Sequence, residues 1–198
     1  MPDPRPLPLL GSTPVERSDA ARNRERLLEA AQRLIRESGP DQLTMEALAS
    51  AAGVGKGTVF RRFGSRAGLM AAVLDFSEAE WQAAVIGGPP PLGPGAPPWD
   101  RLVAFGRSRL ERVLEAADLI RAAGFTDARS AAVHSFAALH VRHLLAELGT
   151  PGDLPLLATA LLAPLEEPVL HHQVTVQGID VDRIHAAWVD LASRVVGR

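Results

Sequence analysis

The chain has 198 residues and is 46% hydrophobic, enough to bury a real core in one large or two small domains. Cysteine is absent, which excludes a disulfide framework, a thiol nucleophile and a cysteine-ligated zinc site. The formal net charge of −2 hides an asymmetry: residues 1–70 hold 11 Lys and Arg against 8 Asp and Glu, so +3, while residues 71–198 hold 10 against 15, so −5. The first part is therefore the one suited to an anionic polymer.

Pro2, Pro4, Pro6, Pro8 and Pro14 make residues 1–17 a flexible arm, without an apolar stretch of signal-peptide length behind a basic start. Residues 18–38 then read as a helix capped by Ser18 or Asp19, with Leu27, Ala31, Leu34 and Ile35 as its buried stripe. Gly39-Pro40 stops it, and Thr44 caps the next helix, with Glu46 in its first turn.

Residues 43–69, LTMEALASAAGVGKGTVFRRFGSRAGL, hold two short helical patterns that meet at a glycine turn. Leu48, Ala49 and Ala52 give the first an apolar face, and Val59, Phe60 and Phe63 give the second one. Between them, Gly53-Val54-Gly55 is a turn of the length that joins the helices of a helix-turn-helix, with Gly53 suited to the left-handed exit. Lys56, Arg61, Arg62 and Arg66 supply four positive charges with no acid among them, and Lys56 is the one lysine in a chain with twenty arginines.

Ser65 caps a helix of about twenty residues, a usual globular length, with Met70, Leu74, Trp81 and Val85 inward. Gly87 to Pro98 is too rich in glycine and proline to be helical and forms a surface loop. From Trp99, Leu102, Gly106, Leu110, Val113 and Leu114 share one face up to Ala117, and a short helical turn from Asp118 to Ala123 ends at Gly124. Residues 127–148 form an amphipathic helix on Val133, Phe136, Ala137, Leu144 and Leu148. Asp153 caps an apolar helix through Leu161 and Leu162, and Pro164 and Pro168 kink or split the stretch beyond it. The last helix starts after Asp180, with Ile184, Ala187, Trp188, Leu191 and Val195 as its stripe. Only Val174 to Val176 suggests a strand, so the fold class is all-α, with about nine helices.

The stretch at 43–69 resembles the helix-turn-helix of the tetracycline-repressor (TetR) family of transcriptional regulators. The elements that carry the resemblance are Leu43-Thr44, Leu48-Ala49, Ala52-Gly53-Val54, Gly57-Thr58, Phe60, Arg62-Phe63, Arg66 and Leu69. It covers about residues 20–75, and the rest matches only in helix count and order. Two positions depart from the family: Gly55 replaces the usual Ser or Thr and offers no side-chain cap, and Phe60 replaces the usual Tyr and loses a hydroxyl. Arg62, where His is frequent, adds charge, so the salt dependence of DNA binding is expected to be steep.

The resemblance implies a three-helix DNA-binding domain at 18–64 and a ligand-binding and dimerisation domain at 65–198. It sets Thr44, Lys56, Gly57, Thr58, Phe60, Arg61, Arg62 and Arg66 at the DNA surface. Thr58 either reads a base edge or supports the first turn of its helix. Arg61 and Arg62 point about a hundred degrees apart, so one binds phosphate while the other faces solvent or the fourth helix. Phe60 and Phe63 read as core residues before DNA-stacking ones. Arg5 and Arg17 make the arm either a plain leader or a strap on DNA.

For a small-molecule effector the candidates are Trp81, Arg109, Phe136 and His140, each with a plainer reading as core filler or surface arginine. His140 and His143 stand three apart, but no acid in register accompanies them, so a metal site is not expected, nor is a cofactor. Leu157, Leu161, Leu162, Trp188, Leu191 and Val195 exceed what one small bundle needs, and the resemblance implies that they form a two-fold dimer interface.

The expected partners are thus a double-stranded DNA operator, an unidentified small-molecule effector and a second copy of the chain, in the cytoplasm and away from membranes. The competing functions are a ligand-independent architectural DNA binder and an enzyme. The last lacks paired carboxylates, a nucleophile–base grouping or a phosphate-cradling glycine loop.

Overall fold

The computed structural model describes residues 14–123 and 127–198, and these are mainly helical. Helix α1 spans Pro14–Ser38, so it begins four residues before the expected cap at Ser18. Pro14 is no obstacle, because the first helical position needs no N–H donor. The arm as far as residue 13, with Arg5, lies outside the described residues, as do Gly124 and the side chains of Arg17, Val133 and His134.

A 3-10 turn at Pro40–Gln42 leads to α2 (Met45–Ala52), α3 (Lys56–Phe63) and α4 (Arg66–Gly87). Next come α5 (Pro98–Ala123), α6 (Asp127–Glu147), α7 (Leu154–Leu162), a 3-10 turn, α8 (Glu167–His171), a π-helical turn at His172–Val176, and α9 (Val181–Val196). The strand suggested at Val174–Val176 is thus part of that π turn, and no strand forms among the described residues. Helix α5 is continuous where a break near Ala117 was expected; Ala117, Asp118 and Leu119 contain no glycine or proline to stop it. Pro164 and Pro168 do split the apolar run, each sitting in the first turn of a new short helix.

Two compact units result, one ending at Leu69 and the other covering Met70–Arg198, with the division inside α4. In the first, α2 packs on both α1 and α3. Leu27, Leu28, Leu43, Leu48 and Val59 are fully buried there, and Phe63 nearly so. Thr44 accepts the Ala47 N–H at 3.0 Å as the cap of α2. At the other end Gly53 takes the left-handed conformation, φ 65° and ψ 32°, and the Val54 N–H closes on the Ala49 carbonyl at 3.0 Å.

In the second unit α5 is the shared wall, packing on α6, α8 and α9. Its core takes Trp81 and Val85 from α4, Leu102 and Phe105 from α5, Val141 and Leu144 from α6, and Leu161 and Leu162 from α7. Trp188 of α9 closes it, donating its indole N–H to the Leu161 carbonyl at 2.7 Å. Gly106 makes room for that ring, since a Cβ there would lie 2.1 Å from Trp188 Cζ3.

This packing corrects part of the interface expectation. Leu161 and Leu162 are fully buried within one copy of the chain, and Trp188 is 3% exposed, so these three fill the protomer's own core. The buried stripe of α9 is Ile184, Trp188 and Ala192, at four-residue spacing against α5 and α7, with Val181, Val189, Val195 and Val196 half-buried beside it. Ala187 is exposed and Leu191 is 38% exposed, while Leu157 and Val195 are half-buried.

Candidate nucleic-acid interface and interior aromatic cluster

Helix α3 is held by Val59 and Phe63, one turn apart and buried against the first unit's core. That anchoring turns Lys56, Gly57, Phe60, Arg61 and Arg62 outward. Gly55 caps α3 in an extended conformation with no side-chain bond; the Thr58 N–H donates back to the Gly55 carbonyl at 2.9 Å, and the Lys56 and Gly57 amides before it are left without a side-chain cap. Phe60 is 41% exposed, which corrects its reading as core; it lies at the edge of the side that Val59 and Phe63 bury, and its ring is turned toward Lys56 and solvent.

The cations of this face are already partnered in part. Lys56 ion-pairs with Glu46 of α2, and its Nζ lies 5.5 Å from the Phe60 ring centroid. The Lys56 ammonium beside Glu46 holds that carboxyl below its ordinary pKa. Arg61 donates to the Thr58 hydroxyl at 3.4 Å, so the two form one polar group on the first turns of α3. Arg62 is exposed.

Arg66 has a structural role that sequence reasoning missed. Its Nε donates to the Leu43 carbonyl and Nη2 to the Pro40 carbonyl, both at 3.0 Å, with Asp41 at 4.0 Å. It thereby fastens the connection between α1 and α2 to the start of α4, and a phosphate there would share a guanidinium already in use. Gly68 was also missed: a Cβ on it would lie 2.2 Å from the Phe63 carbonyl oxygen, while its N–H is capped by Ser65 Oγ at 3.1 Å. Only a residue without a side chain lets α4 start so close behind α3. A motif that runs Phe63-Gly64-Ser65 with a second glycine three residues on was the available signal.

In the second unit the four effector candidates do converge. Trp81 packs against Phe105 at 5.3 Å and against Phe136 edge-on at 5.8 Å, and its indole N–H donates to Ser108 at 3.1 Å. His140 lies 5.1 Å from Phe105 and stacks near Phe136 at 6.4 Å. The Arg109 guanidinium sits 5.8 Å from the Trp81 ring and its Nη2 is 3.5 Å from Glu166. Burial, with Arg101 and His143 nearby, pushes the His140 imidazole down to about 4, so it is neutral at pH 7. Phe105 and Ser108, which complete the cluster, went unnoticed in sequence, although with Arg109 and Arg112 they recur at helical spacing on α5.

A separate open groove of about 690 Å³ runs between α6 and the start of α7, lined by Leu139, Arg142, His143, Ala146 and residues 152–155. None of the four candidates lines it. Among the described residues no three His, Cys, Asp or Glu gather as a metal site requires, and no helix is long and apolar enough to cross a membrane.

Residues 27–73 match the family model of bacterial regulatory proteins, tetR family. No curated protein matches the sequence. Among solved structures, a TetR-family transcriptional regulator from Pectobacterium atrosepticum is similar at 21% identity, over 89% of this chain and 93% of that one, with a TM-score of 0.63. Another from Streptomyces coelicolor gives 21% identity over 87% and 80%, with a TM-score of 0.63. A complex of SmeT with triclosan gives 19% identity over 87% and 90%, with a TM-score of 0.60. Residues 27–73 of this chain are therefore similar to the tetR family of bacterial regulatory proteins, and the chain has the fold of TetR-family transcriptional regulators.

Proposed function

We propose that this DNA-binding regulator is a ligand-responsive repressor that acts as a homodimer on a roughly palindromic operator. The observation that carries the reading is the outward face of α3, where Lys56, Gly57, Phe60, Arg61 and Arg62 stand beside an open helix start. In this reading α3 enters the major groove, Lys56 and the Thr58–Arg61 pair reach base edges, and Arg62, Thr44 and the α3 amides meet phosphates. Lys56 leaves Glu46 to do so.

The effector occupies the cluster of Trp81, Arg109, Phe136 and His140; the SmeT complex with triclosan is a precedent for a small molecule on this fold. The second copy docks on the apolar surface that the core leaves over, which includes Leu157, Leu191 and Val195. Such a protein switches only if the effector binds the DNA-incompetent state more tightly. It works in the cytoplasm, where the operator is.

Selection of bound sequences from a random DNA pool, then binding curves on the recovered site, tests this. Recovery of a two-fold site, with Lys56→Ala and Thr58→Ala abolishing specific binding while the dimer persists, supports the reading. Equal affinity for random DNA would favour an architectural binder instead.

A further inference from the structure

We infer that the effector is an organic monocarboxylate with a flat aromatic body, its carboxylate taken by Arg109 and its ring by Trp81, Phe105 and Phe136. This rests on the proposal that the cluster binds a small molecule. On α5, Arg101, Phe105, Arg109 and Arg112 recur at spacings of four, four and three and so share one face. That face is turned inward: Arg109 is 5% exposed, and the Arg101 and Arg112 side chains are 12% and 15% exposed.

Three arginines so little exposed on one helix face, with Arg109 buried among them, are unusual, because each guanidinium gives up water for a fixed set of partners. Here the set is incomplete. The Nε atoms of Arg101 and Arg109 are buried without an acceptor in hydrogen-bonding geometry, Arg112 Nε has only the Glu78 carboxylate beside it at 3.3 Å, and Nε2 of His140 is buried without a hydrogen-bond partner. Buried donors left open in this way mark a place that a further acceptor fills. Arg101 and Arg112 have acids at 3.5 Å and 3.3 Å, Glu147 and Glu78. Arg109 is the most buried and has Glu166 at 3.5 Å, whose side chain is 40% exposed.

Glu166 is the acid built to yield. It stands in extended conformation between the 3-10 turn after α7 and the start of α8, and its side chain is 40% exposed although Oε1, the oxygen facing Arg109, is buried. A ligand carboxylate can replace it on the Nε–Nη2 edge of Arg109, the side of a guanidinium that donates to two oxygens at once. The charge count favours a single negative charge, since one incoming anion substitutes for one departing carboxylate. Next to the guanidinium lie the Trp81 indole and then the Phe105 and Phe136 rings, surfaces that prefer an apolar, flat partner. The rings touch one another here, so the ligand displaces one; Phe136 on α6, half-buried, is the one with room to swing. Release of Glu166 would then carry the change to the joint between α7 and α8.

The test uses the full chain with benzoate and indole-3-acetate as probes, against benzamide and indole-3-acetamide at equal ionic strength. Binding is read from the melting temperature and from tryptophan fluorescence. Carboxylates should bind at least about tenfold more tightly than their amides. Arg109→Gln should remove that preference, and Glu166→Gln, which keeps Arg109 and does not depend on refilling the core, should tighten carboxylate binding severalfold. Equal binding of acid and amide, no binding by any of the four probes, or an unchanged acid affinity in Glu166→Gln overturns the inference. Operator release by a neutral compound, with carboxylates inert, would overturn it too, yet leave the ligand-responsive regulator standing. Carboxylate binding that never alters operator affinity would uphold this site and refute the regulatory reading.

Discussion

His140 should make the second unit acid-labile well above the pH at which its carboxylates protonate. In the unfolded chain its imidazole takes a proton at about 6.5, whereas folding lowers that to about 4, chiefly through burial between Phe105 and Phe136 and then through Arg101 and His143. Between the two values the unfolded chain holds a proton that the folded one refuses, so stability falls as the pH drops. Above 6.5 the effect is absent, and below 4 it is complete. At about 1.4 kcal/mol for each pH unit, the full effect is roughly 3 kcal/mol, of which about 2 kcal/mol has developed by about pH 5. All three tryptophans, Trp81, Trp99 and Trp188, belong to the second unit, so their fluorescence during urea unfolding reports on it alone. The perturbation is His140→Leu, which cannot be protonated. The gap between wild type and variant should shift in the variant's favour by about 2 kcal/mol between pH 7 and pH 5. The carboxylates are common to both proteins and cancel. Parallel behaviour at the two pH values would refute this account, because it would mean that His140 reaches water in the folded state.

Other outcomes depend on single contacts. Gly106→Ala would drive a Cβ to 2.1 Å from Trp188 Cζ3, and should destabilise the second unit by about 1–3 kcal/mol in the same urea assay; an unchanged midpoint would contradict the packing of α5 on α9. Gly53→Ala has free space around its new Cβ but must hold φ near 65°, so a loss of about 1–2 kcal/mol is expected from backbone strain alone, read by helical circular dichroism. Glu46→Gln frees Lys56 from its partner and should strengthen operator binding about two- to fivefold at low salt, with a steeper salt slope. A weaker complex would mean that Glu46 itself touches DNA.

How far the sequence alone reached differs between the two units, for a physical reason. Helix ends and the helix-turn-helix are governed by neighbours a few residues apart, and they were legible: Thr44 caps α2, Gly53 ends it in the left-handed region, and Gly55 leaves α3 uncapped. Trp81, Arg109, Phe136 and His140 were candidates because periodicity puts residues on a face. Periodicity does not say what covers that face. Hence Phe60, apolar and in step with Phe63, read as core although it points outward. For the same reason Leu161, Leu162 and Trp188 read as surplus, because only the fold brings α7 and α9 together and sets Gly106 beneath the indole.

Long-range partners were the other blind spot. Arg66 lies 23 residues from Leu43 and 26 from Pro40, and nothing local marks its guanidinium as the clasp of the first unit. The same holds for Arg109 and Glu166, on elements far apart in sequence. The sequence by itself determined an all-helical chain with a basic reading head, since turns, caps and charge runs are local properties. Tertiary structure alone decided which cations are fastened to carbonyls or carboxylates and which apolar residues still face outward. Those questions depend on which distant residues fold against each face.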